Sequence, residues 1–329
     1  MKRVTVVGGG PAGSAAALAA LREGSQVRLF EPSRFPRHKV CGEFLSPGFA
    51  QAADDLGVWS RLEAAGAAPI RRALLVVKDA RLRHRLRAPA WGLSRYVLDD
   101  VLLEAARQRG ARIIAARGRA DVMDGGPVVH AAGRRRETRD DRGRRLFGFK
   151  AHFRGPADDA VELYFFRGCY VGVSPVERGG TNVCGLAPKA VLDEYGFDFD
   201  ELVWAFGPLR RRVEPLAREW DWLTTGPVVT GWNGASPDGG VYPAGDSLGF
   251  VDPFTGAGLT NALITGRLAG TAAAHGEPVS RYVARCRQAT GRVFRVAAAL
   301  RWLIETGWAP RLAWMAPASL LFAATRPRV

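Results

Sequence analysis

The first thirty residues combine apolar runs and a glycine-rich turn in a way that predicts three elements. Residues 4–7 form a β-branched run typical of a strand, and residues 12–22 are small and apolar, as in a tightly packed helix. A second apolar run, residues 27–30, ends at Glu31. Strand, helix and strand in this order predict a βαβ unit with two parallel strands.

The turn of this predicted unit carries a dinucleotide-binding pattern. Gly8, Gly10 and Gly13 spell G-x-G-x-x-G between the first strand and the helix. Such glycines permit a tight turn, the approach of backbone N–H groups to a pyrophosphate, and close packing of helix on strand. Pro11 follows at an early helical position, where its missing N–H costs little. Glu31, at the end of the second strand, suits the unphosphorylated ribose of FAD or NAD.

A second glycine-rich block, near residue 250, distinguishes between these two cofactors. Residues 241–247 (VYPAGDS) form a short extended run that ends at Gly245 and Asp246, and residues 252–262 (DPFTGAGLTNA) open another helix. A carboxylate at a strand end can accept hydrogen bonds from a polyol, and a helix N-terminus places a positive dipole beside an electron-rich ring. These features meet the needs of the ribityl chain and the ring of FAD.

The middle of the chain predicts an antiparallel or mixed β-sheet over the cofactor, because its apolar runs are mostly bounded by glycine or proline. The runs are residues 73–77, 146–153, 161–166, 169–176 and 181–186. Helices are expected at about residues 189–206 and 280–306. Residues 81–87 (RLRHRLR) would place four arginines on one face of a strand. That face is either solvated or docks an anion: a carboxylated substrate, a carrier protein or the NADPH phosphate.

Charge and cysteine content narrow the class of function. The chain has 329 residues, and its 47 basic residues, all but five of them arginine, outnumber its 32 acidic ones to give a net charge of +15. The arginines are spread along the chain, so we expect phosphate-bearing or acidic small molecules as partners and no nucleic acid. The four cysteines form no C-x-x-C pair, which argues against a zinc site and a disulfide framework. We therefore expect no bound metal and a cytoplasmic location.

The apolar stretches at the two ends of the chain do not predict a membrane span. The N-terminal run breaks at once into glycines and shows no convincing cleavage site of an export signal. Residues 312–325 are strongly apolar but contain Pro317 and are shorter than the ~20 residues that a spanning helix needs. We expect no transmembrane segment, although this stretch could contact a membrane peripherally or close an apolar pocket.

Four blocks in this order resemble the FAD-dependent monooxygenases of the para-hydroxybenzoate hydroxylase fold. Besides the two glycine-rich blocks, residues 35–43 (FPRHKVCGE) are similar to a loop that these proteins place beside the flavin. Residues 93–99 (LSRYVLD) are similar to a helix start whose arginine contacts FAD. The nearer relatives are geranylgeranyl reductase-like flavoproteins and flavin-dependent halogenases. The likeness extends to about Ala274.

The resemblance implies an α/β fold: an FAD-binding Rossmann-like domain of glutathione reductase type 2, an interleaved substrate domain with a mixed β-sheet, and C-terminal helices. The implied boundaries are 1–70, 93–142 and 225–275 for the discontinuous FAD-binding domain, 71–92 and 143–224 for the substrate domain, and 276–329 for the C-terminal helical segment.

The resemblance also implies roles for single residues. Glu31 would bind the ribose, Arg95 would approach the pyrophosphate or the ribityl chain, and Asp246 would bind the ribityl hydroxyls. The backbone of residues 256–259 would face the pyrimidine edge of the flavin. The full set expected at FAD is Gly8, Gly10, Pro11, Ala12, Gly13, Glu31, Arg37, Arg95, Gly245, Asp246, Pro253, Gly256, Ala257, Gly258 and Leu259. The acid–base candidates are His38, Cys41 and Glu43 of the loop, and His152, for which no positional argument exists.

Two departures from the family pattern bear on the reaction. The second Asp-Gly motif of the hydroxylases is degenerate, with Ala132 in place of the aspartate. A nicotinamide donor, NAD(P)H, would therefore dock transiently, or a partner reductase would supply the electrons. The W-x-W-x-I-P signature of the halogenases is absent, and Lys78, a candidate halogenating lysine, is explained more simply as the polar end of a strand.

Three functions follow as hypotheses, and the first two take a hydrophobic or aromatic small molecule as the substrate. The first is a monooxygenase that hydroxylates an aromatic or lipophilic secondary metabolite, with dioxygen captured as a flavin C4a-hydroperoxide in a pocket that excludes water. The second is a geranylgeranyl reductase-like enzyme that saturates an isoprenoid double bond, or dehydrogenates a small molecule, by hydride transfer. The third is a flavin-binding accessory protein that docks a carrier protein and has no turnover of its own. A flavin-dependent halogenase is the remaining alternative, which the missing signature disfavours.

Overall fold

The computed structural model describes residues 2–77, 80–118, 126–134, 145–156, 158–233 and 240–305, and for residues 303–305 it describes the backbone alone. Lys78 and residues 312–325, both singled out in the sequence, lie outside the described residues. Within these ranges, no helix combines the length and the apolar character that crossing a bilayer requires.

A parallel sheet of five strands contains the predicted βαβ unit. Its strands are β1 (Arg3–Val7), β2 (Gln26–Phe30), β6 (Arg112–Ile114), β7 (Val128–His130) and β15 (Val241–Pro243). Their order is β15-β7-β1-β2-β6. β1 pairs in parallel with both β2 and β7, and β7 pairs in parallel with β15. The strand of the second glycine-rich block therefore ends at the same edge of the sheet as β1.

The helices beside this sheet bring the two glycine-rich blocks together. They are α1 (Pro11–Arg22), α2 (Pro47–Asp54), α3 (Trp59–Ala64), α4 (Arg95–Gln108) and α8 (Gly258–His275). A Cβ at Gly266 of α8 would lie 2.2 Å from the Ala12 carbonyl oxygen, and one at Gly270 would lie 2.1 Å from that of Ala16. Only glycine permits so close an approach, which explains the small residues of both helices.

A second sheet has nine strands and is mixed, as the sequence predicted. Its strands are β3 (Phe44–Leu45), β4 (Ala68–Val77), β5 (Ala80–Gly92), β8 (Leu146–Arg154), β9 (Ala160–Phe166), β10 (Cys169–Pro175), β11 (Gly180–Pro188), β12 (Ala217–Arg218) and β13 (Leu223–Val228). The order is β12-β8-β11-β10-β9-β4-β5-β3, and β13 also pairs with β8. β4 and β9 run parallel. Two further short strands, β14 (Gly231–Trp232) and β16 (Gly249–Phe250), form an antiparallel pair.

The remaining helices correct one prediction. The single helix expected at residues 189–206 is instead two helices, α5 (Lys189–Glu194) and α6 (Phe199–Trp204), followed by α7 (Gly207–Val213). Gly196 and Phe197 both adopt a positive φ, of 57° and 61°, which ends the first helix. The Asp198 side chain then caps the second by accepting from two backbone N–H groups. The long helix expected near the C-terminus is α9 (Val279–Glu305).

Candidate functional site

A cavity of about 980 Å³ is lined by residues of both large sheets. This volume is at the upper end of the range for ligand pockets. One end is formed by the glycine turn after β1 and the block after β15, and the other by apolar side chains of the mixed sheet. The cavity is therefore polar and glycine-lined at one end and apolar at the other.

The glycine turn is built for close contact between α1 and β1. A Cβ at Gly13, in the first turn of α1, would lie 1.8 Å from the Gly8 carbonyl oxygen, so only glycine fits at this position. Glu31 is buried, and its carboxylate accepts hydrogen bonds from the backbone N–H of Gly9 at 2.8 Å and of Ser33 at 2.9 Å. This carboxylate both braces the turn and lines the cavity.

Two cations flank the glycine turn and share one buried carboxylate. Arg95 contacts Asp99 through two nitrogens, at 2.6 and 2.7 Å, and Lys39 Nζ lies 2.8 Å from the same carboxylate. Burial alone would raise the pKa of Asp99, but Arg95 and Lys39 together hold it below its ordinary value. A Cβ at Gly10 would lie 3.7 Å from Lys39 Nζ and 3.8 Å from Arg95 Nη2. Two positive charges against one negative charge beside an open turn fit the pyrophosphate of a dinucleotide.

The block after β15 supplies a carboxylate and a helix N-terminus to the same cavity. Among the described residues, no hydrogen-bond donor pairs with the Asp246 carboxylate, which lines the cavity. Burial raises the pKa of Asp246, although Arg134, Arg95 and Lys39 oppose that rise. A Cβ at Gly258, the first residue of α8, would meet no atom within 4 Å. An unpaired acceptor and open space before a helix N-terminus fit a polyol chain that ends in an electron-rich ring.

The residues predicted to bind the cofactor are mostly brought together here. All of them line the cavity except Gly13, which packs beneath the turn, and Ala257, which is fully buried before α8. Arg37 is among the lining residues, and its Nε is buried without a hydrogen-bond partner in the described structure. Their individual roles stay predictions.

The loop before β3 connects the cavity to a buried charge cluster. Cys41 and Glu43 line the cavity. Lys150 Nζ donates a hydrogen bond to Glu43 Oε1, which also accepts from the Arg95 backbone N–H at 2.6 Å. His152 Nε2 lies 2.6 Å from Glu43 Oε2. Burial alone would raise the pKa of Glu43, but Lys150 and the hydrogen bond from His152 hold it below its ordinary value.

His38 lies behind this cluster and is not among the residues that line the cavity. Its ring stacks on Tyr96 at 4.9 Å and meets His152 edge-on at 5.1 Å. Burial lowers the pKa of His38, and Lys150 and His152 lower it further. Candidate ligand atoms of His38, Glu43 and His152 lie within 4.8 Å of one another. The Glu43 carboxylate already has three partners: Lys150, His152 and the Arg95 backbone N–H. We therefore interpret these residues as a hydrogen-bond network. The absence of a bound metal stays a prediction.

The apolar end of the cavity has an aliphatic and an aromatic wall. Leu75, Leu82 and Leu163 line it from β4, β5 and β9. Phe254 lies edge-on to Phe165 at 6.0 Å and to Tyr170 at 6.2 Å between ring centroids. Burial raises the pKa of Tyr170 well above its ordinary value, so its phenol stays neutral. Such walls suit a lipophilic ligand.

A family model described as FAD dependent oxidoreductase matches residues 3–36, which span the βαβ unit from β1 to the loop after Glu31. This unit carries the glycine turn and Glu31 of the site described above. The match and the site geometry indicate an FAD-dependent oxidoreductase.

Relatives and solved structures agree with this assignment. The flavoprotein is 28% identical over 325 residues to the menaquinone reductase of Mycolicibacterium smegmatis, covering 81% of this chain and 75% of that one. Its fold is similar to that of the flavin-dependent brominase Bmp2 in a triple mutant, with a TM-score of 0.80, 19% identity and coverage of 98% and 93%. It is also similar to a geranylgeranyl bacteriochlorophyll reductase-like protein of Thermoplasma acidophilum, with a TM-score of 0.73, 18% identity and coverage of 99% and 92%.

Sequence reasoning gave no role to one residue of this site, Lys150, and named a second, His152, without predicting its position. Both side chains point from β8 to Glu43, and eight of the nine residues of β8 are at least partly buried. A lysine in the middle of an apolar strand is itself a signal, because a buried ammonium requires a partner.

Proposed function

We propose that this flavoprotein reduces an unsaturated, lipophilic substrate by hydride transfer at the apolar end of its cavity. The observation that supports this most directly is the continuity of the cavity from the glycine turn to the apolar wall. The sequence likeness to a menaquinone reductase over most of the chain favours an isoprenoid or quinone-like substrate.

FAD fits the polar end of the cavity. Glu31 would hold the ribose, and the turn with Arg95 and Lys39 would hold the pyrophosphate. Asp246 would accept from the ribityl hydroxyls, and the N-terminus of α8 would stabilise negative charge at the pyrimidine edge. When bound, FAD supplies a ring that accepts and donates hydride.

Saturation of a double bond consumes one hydride and one proton, and this chain must supply the proton. Cys41 is our candidate donor: its side chain belongs to the cavity lining, and the Glu43 backbone N–H holds its Sγ at 3.4 Å. The apolar wall of the cavity keeps water from the reacting carbons. NAD(P)H or a partner reductase would supply the electrons. The mid-chain segment with Ala132 lines the same cavity but lacks the aspartate of the hydroxylases, so a nicotinamide would dock only transiently.

Anaerobic turnover tests this proposal. Purified holoprotein is reduced with one equivalent of dithionite without oxygen and mixed with a menaquinone that carries a short isoprenoid tail; menadione, which has no such tail, is the control for reduction of the quinone ring. We expect the yellow absorbance to return at once and, after the ring is reoxidised in air, a product whose isoprenoid tail is heavier by two hydrogens. If the reduced protein is stable to every quinone and isoprenoid probe in the absence of oxygen, hydride transfer to this class is wrong.

Hydroxylation is the second candidate, and the aromatic wall of Phe165, Tyr170 and Phe254 favours it. A phenolic substrate could stack on these rings. A repeat of the experiment in air separates the two reactions, since hydroxylation requires dioxygen and yields a product heavier by one oxygen atom.

A further inference from the structure

Strand β5, near one edge of the mixed sheet, carries a row of arginines on one face. Arg81, Arg83, Arg85 and Arg87 alternate along β5, and all four are exposed; we call them the arginine edge. Their spacing spreads four positive charges over about 20 Å, at about 3.3 Å per residue. β4 and β5 together contain no acidic residue.

The described structure leaves this row without protein partners. β3 pairs with β5 only at Trp91 and Gly92, so along residues 80–90 the outer side of the strand has no neighbouring strand among the described residues. No carboxylate in the described ranges forms an ion pair with any of the four arginines. Arg72 on β4 shows the contrast, because it pairs with both Asp158 and Asp159.

The opposite face of the same strand belongs to the cavity. Leu82 and His84 alternate with the arginines and line the cavity together with Leu75 and Leu163. The apolar end of the cavity therefore reaches the edge strand that carries the arginine edge. A lipophilic molecule in the cavity and an anionic surface on the arginine edge would lie on two sides of one strand.

We propose that the arginine edge docks this protein on an anionic lipid bilayer. A line of four charges about 20 Å long matches a plane of headgroups better than a single phosphate group, which could engage at most two of them. A lipophilic substrate partitions into a bilayer, so docking would bring the cavity next to its source. An acidic partner protein would satisfy the charges but not explain why the apolar end of the cavity reaches this strand. Docking goes beyond the proposed reaction, because it requires no turnover.

Vesicle binding tests the proposal with the holoprotein. Sedimentation compares vesicles of phosphatidylcholine alone with vesicles that contain phosphatidylglycerol. The test variant is Arg81→Gln/Arg83→Gln/Arg85→Gln, and the matched control is Arg61→Gln/Arg107→Gln/Arg112→Gln, three exposed arginines elsewhere on the chain. We expect wild type to bind only the acidic vesicles. The test variant should bind them about a hundredfold more weakly, at about 1 kcal/mol per arginine, and the control nearly as wild type.

A second variant guards against misfolding. Arg81→Lys/Arg83→Lys/Arg85→Lys keeps the charge and should retain binding, and the flavin absorbance of every variant reports an intact holoprotein. Three results would overturn docking. The first is an equal loss of vesicle binding in the test and control variants, and the second is equal binding of the wild type to neutral and acidic vesicles. The third is no binding of the wild type to acidic vesicles, including the case in which it binds an acidic carrier protein instead. All readouts are independent of reaction type, so they stand even if the hydride-transfer proposal fails.

Discussion

Glu43 and Lys150 are 107 positions apart in the sequence and form an ion pair with no solvent exposure on either side chain. Glu43 belongs to the loop at the cavity, and Lys150 belongs to the middle of β8. His152 and the Arg95 backbone N–H complete the partners of the carboxylate. The pair therefore fixes the cavity-lining loop that contains Cys41 against the mixed sheet.

Breaking this pair should destabilise the protein strongly. In Lys150→Met the Glu43 carboxylate stays buried without its ammonium, and loss of one partner of a buried pair costs about 3–5 kcal/mol. Urea unfolding of the apoprotein measures the change. Lys189→Met is the control, because that exposed i,i+4 pair with Asp193 contributes at most about 0.5 kcal/mol. The double variant Glu43→Leu/Lys150→Met should recover most of the loss; equal losses in the two single lysine variants would contradict the argument.

Acid should destabilise the wild type through Glu43 and Asp99. The pKa of both carboxyls in the folded protein lies below its ordinary value. Burial alone would raise each pKa, but Lys150 and His152 lower that of Glu43. Arg95 and Lys39 in the same way lower that of Asp99. Their stabilisation is thus fully present above the ordinary carboxyl pKa, about 4, and is lost as pH falls through the lower folded values. The urea midpoint from pH 6 to pH 3 measures this loss. Glu43→Leu/Lys150→Met should show a shallower fall below pH 4; an unchanged slope would exclude Glu43 as a contributor.

The sequence was informative wherever the chemistry is local. The turn of Gly8 to Gly13, the acid at Glu31 and the alternation of residues 81–87 follow from spacing alone, and the structure has the predicted elements there. The order of the strands in the mixed sheet and the partners of Glu43 depend on contacts between distant segments, which periodicity does not encode. The break at Gly196 and Phe197 was missed because the apolar pattern continues across it, although Asp198 is a typical helix cap.

Asp246 should contribute to FAD affinity without contributing to the fold. Its carboxylate has no hydrogen-bond partner among the described residues, so Asp246→Ala removes no internal hydrogen bond of that group. Hydrogen bonds to a charged group contribute about 1.5–3 kcal/mol, so we expect FAD to bind roughly ten- to a hundredfold more weakly. Titration of apoprotein with FAD, followed by flavin fluorescence, gives the dissociation constant. Asp221→Ala, at a fully exposed position, is the control. An unchanged dissociation constant would remove Asp246 from the cofactor site.

Cys41 should affect the rate and not the binding of FAD. If its thiol supplies the proton, Cys41→Ala lowers kcat about a hundredfold, in the range typical of general acids, with KM and the FAD dissociation constant nearly unchanged. Cys41→Ser restores a donor at the same place and should recover part of the rate. Parallel losses of FAD affinity and kcat in both variants would instead indicate a packing role for this residue.

Leu163 offers a test of which end of the cavity holds the substrate. It lies on β9, lines the cavity, and approaches Gly172 of β10, where a Cβ would be 3.5 Å from its Cδ2 atom. Leu163→Trp fills apolar volume in the mixed sheet, away from the glycine turn of the parallel sheet. We therefore expect KM for the quinone probe to rise about tenfold, equivalent to about 1.4 kcal/mol, while FAD binds as in wild type. Leu163→Met keeps a similar volume and should leave both values unchanged. A tryptophan variant with unchanged KM, or with weakened FAD binding alone, would place the substrate elsewhere.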